Sequence, residues 1–252
     1  MSGPDGQPRV AVFRPDDDRL AEATALLAEL GVEPVADPML AVEPTGDVPP
    51  EADVVVLTSK TGAELLAGAD WEPGDAVVAA IGEHTAHALR ATGYRVDRVP
   101  EEFSSAGLVS LLAGEVAGER VAVARSDHGS PVLLEGLREA GADVTETVLY
   151  RLVRPPGAGQ SADLAAAGEL SAALFTSSLT VEHFLAAAAE RGCREDAIDG
   201  LDGAVVGTIG EPTRETAERE GIAADVVPER ADFTALARAT VDEIAGSRSH
   251  AR

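Results

Sequence analysis

The sequence contains very little cysteine and lysine and no long hydrophobic run, and each shortage excludes a class of protein. Cys193 is the only cysteine, so neither an internal disulfide framework nor a multi-cysteine metal site can form. No apolar run approaches the length of a membrane span. Residues 1–8 lack the charged and apolar regions of a signal peptide. We therefore expect a cytoplasmic protein.

Positive charge is scarce as well. Lys60 is the only lysine, and 44 acidic residues against 20 basic ones give a net charge of −24. Such a surface repels nucleic acids and anionic membranes, so we expect neither as a partner. The acidic residues are spread along the chain, as in halophilic-type proteins, whose self-repulsion is screened by a salt-rich cytoplasm.

What the sequence does contain is an internal repeat. The stretch IGEHT at 81–85 recurs as IGEPT at 209–213, and each copy ends an apolar run and begins an amphipathic one. In both copies a glycine follows 11 residues after the first glycine (82 to 93, 210 to 221), and a proline follows 18 residues after it (82 to 100, 210 to 228). Repetition at this length indicates two structurally related halves.

Apolar strands and amphipathic helices alternate along both halves. The run DVVVLTS at 53–59 is too apolar to face water on either side, which is typical of a parallel sheet covered by helices. We predict strands at 9–15, 32–37, 53–59, 76–82, 94–100, 120–126, 143–150, 172–178, 204–210 and 223–228. We predict helices at 16–30, 61–68, 83–92, 105–112, 131–140, 180–191, 211–220 and 233–244.

A second repeat is permuted, and it predicts the domain organisation. RVAVFRP at 9–15 recurs as RVAVARS at 120–126, whereas LTS at 57–59 recurs as FTS at 175–177. This order indicates that one complete copy is inserted into another. The predicted parts are a discontinuous domain 1 (1–37 with 155–252), proline-rich linkers (38–44 and 149–154), and an inserted domain 2 (45–148).

Polar motifs follow the predicted strands at the points where helices begin. In open α/β sheets ligands bind at the carboxyl ends of the strands, and helix N-termini there attract anions. Two such edges facing each other would form an anion-binding cleft. The candidate substrate-binding residues are Arg14, Ser59, Gly82, Thr85, Arg125, Ser177, Gly210 and Thr213.

Structural roles are the alternative for each of these residues. On this alternative the serines and threonines do no more than cap helices, and the glycines do no more than relieve tight turns. The arginines would form surface ion pairs. His84 and His87 have the spacing of half a metal site, but the sequence offers no third ligand, so we expect no metal. No glycine-rich loop of a nucleotide site is present, so we expect no cofactor.

Taken together, the motifs resemble the uroporphyrinogen-III synthase family along nearly the whole chain. The matching stretches, in order, are VAVFRP, LTS, IGEHTA, PEEFSSAGL, ARSDHG, VLYR, FTSSLTVEHF and IGEPT. The resemblance implies two flavodoxin-like domains with parallel sheets, joined by a two-strand linker, the first domain being built from both ends of the chain. That arrangement agrees with the permuted repeat.

The resemblance also implies an activity. A hydro-lyase of this family closes linear hydroxymethylbilane to uroporphyrinogen III without a cofactor, loses water and inverts ring D, in the biosynthesis of haem, sirohaem and cobalamin. The family's tyrosine falls on Tyr150, which would be the catalytic proton donor. We expect a monomer whose partner is its substrate, and a transient contact with hydroxymethylbilane synthase is left open.

Two other functions stay open on the residues alone. One is a binding module without catalysis for a carboxylated or tetrapyrrole ligand. The other is a different enzyme of sugar or amino-acid metabolism with the same architecture.

Overall fold

The computed structural model describes residues 6–250, with side chains through residue 247. In this range strands and helices alternate in the predicted manner. The strands are β1 Arg9–Phe13, β2 Glu33–Ala36, β3 Ala41–Pro44, β4 Val54–Leu57, β5 Val77–Ala80, β6 Arg120–Ser126, β7 Asp143–Val153, β8 Ala172–Phe175 and β9 Val205–Thr208. The helices are α1 Asp18–Glu29, α2 Lys60–Gly68, α3 Glu83–Ala91, α4 Ser105–Leu112, α5 Pro131–Glu139, α6 Gln160–Ala166, α7 Ser178–Glu190, α8 Arg194–Leu201, α9 Glu211–Arg219 and α10 Phe233–His250.

The strands form two separate sheets. One has the order β2-β1-β8-β9 and the other the order β3-β7-β6-β4-β5. The pairings of β1 with β2 and β8, of β8 with β9, of β4 with β5 and β6, and of β6 with β7 are all parallel. The predicted α/β class with parallel sheets is therefore confirmed.

Each sheet is covered by apolar side chains on both faces, which is why its strands read as continuous apolar runs. In β1, Ala11 and Phe13 belong to one buried cluster, whereas Val10 and Val12 belong to another. The same alternation divides β4 and β6 between two clusters of the second sheet. Four hydrophobic clusters, two to a sheet, thus fix the strand register, because a slip by one residue would exchange the two faces.

The chain divides into two compact units at two points, between Ala41 and Val42 and between Leu152 and Val153. We call the unit made from both ends of the chain the flanking unit, and the unit of residues 42–152 the inserted unit. The division falls a few residues away from the bounds drawn from the sequence. At the first point the flanking unit continues to Ala41 and does not end at residue 37, because Met39 is fully buried in a hydrophobic cluster of that unit.

Two predicted strands, 94–100 and 223–228, do not form. Each contributes only a single bridge to the neighbouring strand. A carboxylate explains the difference in both places. Asp97 accepts a hydrogen bond from Val78 N–H at 2.9 Å, and Asp225 makes the equivalent bond in the other sheet at 2.8 Å. In each sheet the carboxylate accepts from a backbone N–H of the edge strand. A further strand of the ladder would need that N–H as a donor to its own carbonyl oxygen.

Two short helices, α6 and α8, were not predicted. The N-terminus of α6 is held by a residue distant in sequence, since the Asp37 carboxylate accepts from Gly159 N–H at 2.8 Å and from Ser161 N–H at 2.9 Å. Helix α8 packs closely on α6, and a Cβ at Gly200 would lie 1.8 Å from the Ala165 carbonyl oxygen. These contacts stabilise helices that are too short to be recognised from local pattern. Throughout residues 6–250, no helix combines the length and apolarity that crossing a bilayer requires.

Candidate active site

The two candidate serines occupy equivalent positions and cap helices. Ser59 follows β4, and its Oγ accepts a hydrogen bond from Gly62 N–H at 2.9 Å at the start of α2. Ser177 follows β8 and forms a reciprocal capping box with Thr180 at the start of α7. Both serines therefore have the structural role that was the alternative to substrate binding. Since capping uses the oxygen as acceptor, the hydroxyl proton of Ser59 can still be donated.

The two candidate glycines also occupy equivalent positions, each immediately before a helix and without a side chain that could cap it. Gly82 precedes α3 and Gly210 precedes α9, and both have extended backbones that any residue can adopt. A Cβ at Gly82 would lie 3.2 Å from two side-chain atoms of Phe103, whereas a Cβ at Gly210 would meet no other part of the described chain within 4 Å. Relief of crowding accounts for Gly82 only. Within residues 6–247 the first amides of both helices have no side-chain acceptor, which favours an anion.

Thr85 and Thr213 are the third residues of α3 and α9, and they do not cap these helices. Each residue is 4% exposed. Within residues 6–247 neither hydroxyl forms a hydrogen bond, so both can donate to an anion at the helix N-terminus. In both units the threonine lies three residues after the candidate glycine.

The two candidate arginines differ in what they contact. Arg125, 6% exposed, donates from Nε to Glu146 Oε1 at 2.7 Å and from Nη1 to the Ser130 carbonyl oxygen at 2.5 Å. Gly129 leaves room for it, because a Cβ there would lie 2.5 Å from Arg125 Cδ. Two of the guanidinium donors are therefore engaged inside the inserted unit.

Arg14 contacts an aromatic ring. Its guanidinium carbon lies 4.8 Å from the ring centroid of Phe233, and its Nε is buried and has no hydrogen-bond partner among the described residues. In the part of the chain that the structure describes, Arg14 forms no ion pair. Burial lowers the pKa of Arg14, and the neighbouring charge of Arg19 lowers it further. An arginine nevertheless keeps its proton at neutral pH, so Arg14 offers a positive charge at the carboxyl end of β1.

Tyr150 lies in a pocket of about 240 Å³ at the carboxyl ends of β4 and β6, together with Ser59 and Arg125. Tyr150 is 6% exposed. Its hydroxyl forms no hydrogen bond to any side chain or backbone group among the described residues. The pocket thus unites a phenol, a serine hydroxyl and a guanidinium. Gly82 and Thr85 of the same unit do not line it.

The pair His84 and His87 lines a different pocket of about 480 Å³ between α2 and α3. Across residues 6–250, histidine, cysteine and carboxylate side chains nowhere form a group of three placed to hold a metal ion.

Comparison with known proteins gives the family. The family model described as uroporphyrinogen-III synthase HemD matches residues 21–238. The chain belongs to the uroporphyrinogen-III synthase family. It is therefore an enzyme of tetrapyrrole biosynthesis and a lyase, and hydroxymethylbilane is the substrate of its family.

Individual uroporphyrinogen-III synthase relatives agree with this assignment. A Methanothermobacter thermautotrophicus protein assigned to the same enzyme is 34% identical over 238 residues, which cover 88% of this chain and 92% of that protein. The uroporphyrinogen-III synthase of Synechococcus elongatus is 32% identical over 116 residues, 45% of this chain and 44% of that enzyme.

Solved structures of uroporphyrinogen-III synthases share the fold. A mutant of the Thermus thermophilus enzyme superimposes with a TM-score of 0.66 at 20% identity, covering 95% of this chain and 99% of that chain. The Helicobacter pylori enzyme superimposes with a TM-score of 0.57 at 14% identity, and the match covers 95% of this chain and 99% of that chain.

Two residues near the candidate site residues of this uroporphyrinogen-III synthase family member were not predicted from the sequence. His128 lines the pocket of Tyr150, and Phe103 is 62% exposed and packs on Gly82. Both lie in stretches that matched the family pattern, ARSDHG and PEEFSSAGL. The match marked the stretches, but only the folded chain shows which of their side chains lie near the candidate residues.

Proposed function

We propose that this chain converts hydroxymethylbilane to uroporphyrinogen III without a cofactor and that Tyr150 protonates the departing hydroxyl group. The observation that carries the proposal is the position of the phenol. Tyr150 is buried in a polar pocket with Ser59 and Arg125, and its hydroxyl has no partner among the described residues. The residue as a whole is buried, but its hydroxyl oxygen is not among the fully buried atoms, so a substrate in the pocket can reach the phenol.

The proposed steps balance in atoms and charge. The Tyr150 phenol transfers its proton to the hydroxymethyl oxygen as the carbon–oxygen bond breaks, so water leaves and an azafulvene cation forms. The substituted carbon of ring D attacks this cation and gives a spiro intermediate, which rearranges with ring D inverted. The proton lost on closure of the macrocycle returns to the phenolate. A tyrosine suits the first step because its hydroxyl can donate to the departing oxygen.

Substrate carboxylates are the second part of the proposal. We propose that the uncapped N-termini of α3 and α9, with Thr85 and Thr213, bind carboxylates of the substrate. Arg14 supplies a positive charge, and Ser59 and Ser177 donate from their hydroxyls, while Arg125 uses its remaining donors. Local donors of this kind must overcome the repulsion of an anionic substrate by a net charge of −24.

The enzyme acts in the cytoplasm, as a monomer, and binds neither nucleic acid nor membrane. A transient contact with hydroxymethylbilane synthase would deliver the unstable substrate directly. The domains drawn from the sequence, with residues 38–44 and 149–154 as linkers, stay a prediction.

The test is an assay with hydroxymethylbilane generated enzymatically, followed by analysis of the product isomers. The wild-type chain should give uroporphyrinogen III faster than the substrate closes spontaneously to the uninverted isomer. Tyr150→Phe keeps the ring and removes only the hydroxyl. Its turnover should fall at least about tenfold, which is a cautious bound because general acid catalysis usually contributes ~10²–10⁴-fold. The melting temperature should barely change.

The other tyrosine provides a matched control. The Tyr94 hydroxyl donates to the Trp71 carbonyl oxygen at 2.6 Å and lies outside the pocket of Tyr150. Tyr94→Phe should lower the melting temperature while turnover per folded molecule stays unchanged. A wild-type rate and isomer for Tyr150→Phe would remove Tyr150 from the mechanism. A wild-type chain that binds tetrapyrroles but does not speed closure would be a binding module.

A further inference from the structure

Strand β7 contains a bulge at Tyr150. Its parallel register with β6 runs without a break from Arg120 opposite Asp143 to Arg125 opposite Val148. The next pair is Ser126 opposite Tyr150, so Leu149 has no partner in β6. Side chains of a regular strand alternate between faces, but Leu149 and Tyr150 are neighbours and both are buried in the same cluster. The bulge therefore places the Tyr150 side chain on the same face of the sheet as Leu149, whereas regular alternation would place it on the opposite face.

Thr45 holds the bulge from one side. It follows β3, the neighbour of β7 in the sheet. The Thr45 hydroxyl donates to the Val148 carbonyl oxygen at 2.7 Å and also lies 3.2 Å from the Leu149 carbonyl oxygen. The Thr45 N–H donates to the same Leu149 oxygen at 3.0 Å. The same hydroxyl accepts from Asp47 N–H at 3.1 Å, which directs its proton towards β7.

Asp127 holds the strand from the other side, just beyond the end of β6. Its N–H donates to the Tyr150 carbonyl oxygen at 3.2 Å, and its Oδ1 accepts from Leu152 N–H at 3.0 Å. Its carboxylate also contacts His128 Nδ1 at 2.8 Å. Burial alone would raise the pKa of Asp127, but the hydrogen bonds from His128 and from Leu152 outweigh it and lower that pKa. The carboxylate is therefore ionised and accepts both bonds at neutral pH.

We propose that Thr45 and Asp127 are positioning residues, which hold the bulge of β7 so that the Tyr150 phenol points into its pocket. This inference rests on the proposed role of Tyr150 in the reaction. Neither residue needs to touch the substrate. Misplacing a reacting group by about 1 Å can cost up to ~10²-fold in rate, so loss of one of several bonds to the bulge should cost about tenfold in turnover.

Thr45→Val tests the proposal most directly, because valine has the shape of threonine and lacks the hydroxyl. Turnover should fall about tenfold while KM changes less than about twofold, since proton donation and not substrate binding is affected. Thr92→Val is the matched control. The Thr92 hydroxyl likewise contacts two carbonyl oxygens, those of Ala88 at 3.1 Å and Leu89 at 3.0 Å, at the end of α3. This control should keep the wild-type turnover.

Asp127 is tested by rescue. Asp127→Ala removes the acceptor of Leu152 N–H and should slow turnover about tenfold, whereas Asp127→Asn keeps an oxygen there and should recover most of the rate. If Asp127→Ala fails to fold, the Thr45 variants and Asp127→Asn still decide the question. An asparagine variant as slow as a folded alanine variant would overturn the role given to the Leu152 bond.

A second background separates positioning from general stability. In Tyr150→Phe the hydroxyl is already absent, so adding Thr45→Val should change turnover by less than about twofold. Equal slowing in both backgrounds, or no slowing in either, would overturn the positioning role and leave the proposed acid intact. A wild-type rate for Tyr150→Phe itself would refute the proposed acid and, with it, the catalytic meaning of the bulge.

A spectroscopic measurement checks the geometry without turnover. The chain has only two tyrosines, so ring-labelled tyrosine gives two sets of NMR signals, which Tyr150→Phe assigns. Thr45→Val should shift or broaden the signals of Tyr150 and leave those of Tyr94 unchanged. Unchanged Tyr150 signals would show that Thr45 does not position the ring, whatever the kinetics.

Discussion

At the scale of single residues, the two candidate arginines have different environments although the sequence presents them as equivalents. Arg14 and Arg125 each lie two residues after a repeated RVAV stretch, at 9–12 and 120–123. Arg125 is held by Glu146 and the Ser130 carbonyl, whereas Arg14 forms no ion pair in residues 6–247 and lies over Phe233. A cation without a partner is a better candidate for binding an external carboxylate than one already neutralised.

This difference gives a prediction for Arg14→Gln. A hydrogen bond to a charged group contributes about 1.5–3 kcal/mol, so loss of the guanidinium should raise KM about tenfold or more, with kcat less affected. The free energy of unfolding should fall by only about 0.5–1 kcal/mol, because the contact with the Phe233 ring is lost but no internal ion pair is. Steady-state kinetics and urea unfolding measure the two quantities.

Arg125→Gln is the comparison. It removes the partner of Glu146 and should lower the free energy of unfolding by about 2 kcal/mol, less than the ~3–5 kcal/mol of a fully buried pair. The reason is that the Glu146 side chain keeps 34% of its exposure. The opposite pattern, with Arg14→Gln unstable and binding substrate normally, would assign Arg14 to the framework.

At the scale of elements, the N-terminal ends of β4 and β6 are joined by a pair of charged side chains. Asp53 Oδ2 accepts from Arg120 N–H at 2.9 Å and from Arg120 Nε at 3.1 Å, while Oδ1 accepts from Nη2 at 2.8 Å. These side-chain and backbone hydrogen bonds from Arg120 lower the pKa of Asp53 from 3.8 to about 2. The pair lies at the opposite end of the strands from the candidate site.

The depressed pKa predicts an acid-dependent contribution to stability. Because the folded pKa is below the unfolded one, the contribution of Asp53 is fully present above about pH 4 and is lost as the pH falls through about 2. Asp53→Asn should therefore melt at a lower temperature than the wild type at pH 7, and the difference should shrink as the pH falls from about 4 towards 2. Melting curves between pH 2 and pH 7 test this. A difference that does not depend on pH would mean that the charge of Asp53 contributes nothing, whereas unchanged turnover at pH 7 is expected in either case.

At the scale of the whole molecule, charge is the dominant feature. A net charge of −24 on 252 residues opposes compaction, and the repulsion is screened by salt, with a Debye length of about 10 Å at 0.1 M. We predict that lowering NaCl from about 1 M to about 0.01 M lowers the melting temperature. Sucrose at the same osmolality is the control, because it does not screen charge. A melting temperature that does not depend on salt would contradict the halophilic-type interpretation.

The sequence by itself determined the features that depend on local pattern. Apolar runs such as 53–59 are long enough to require cover on both faces, so parallel sheets with helices follow from the sequence. The repeated IGExT stretches, at 81–85 and 209–213, placed Gly82 and Gly210 at the start of helices, where the structure has them. A strand end and a helix start are set by residues within a few positions of each other, and such signals can be read along one chain.

Only the tertiary structure decided the features that depend on residues far apart in sequence. Thr45 and Val148, 103 positions apart, hold the bulge that aims Tyr150, and Asp37 and Ser161, 124 positions apart, fix the start of α6. The carboxylate of Asp97 ends a sheet that its apolar neighbours would have extended. In each case a hydrogen bond forms between groups that the fold brings together. Such bonds leave no periodic pattern in the sequence, because one donor and one acceptor are enough to make them.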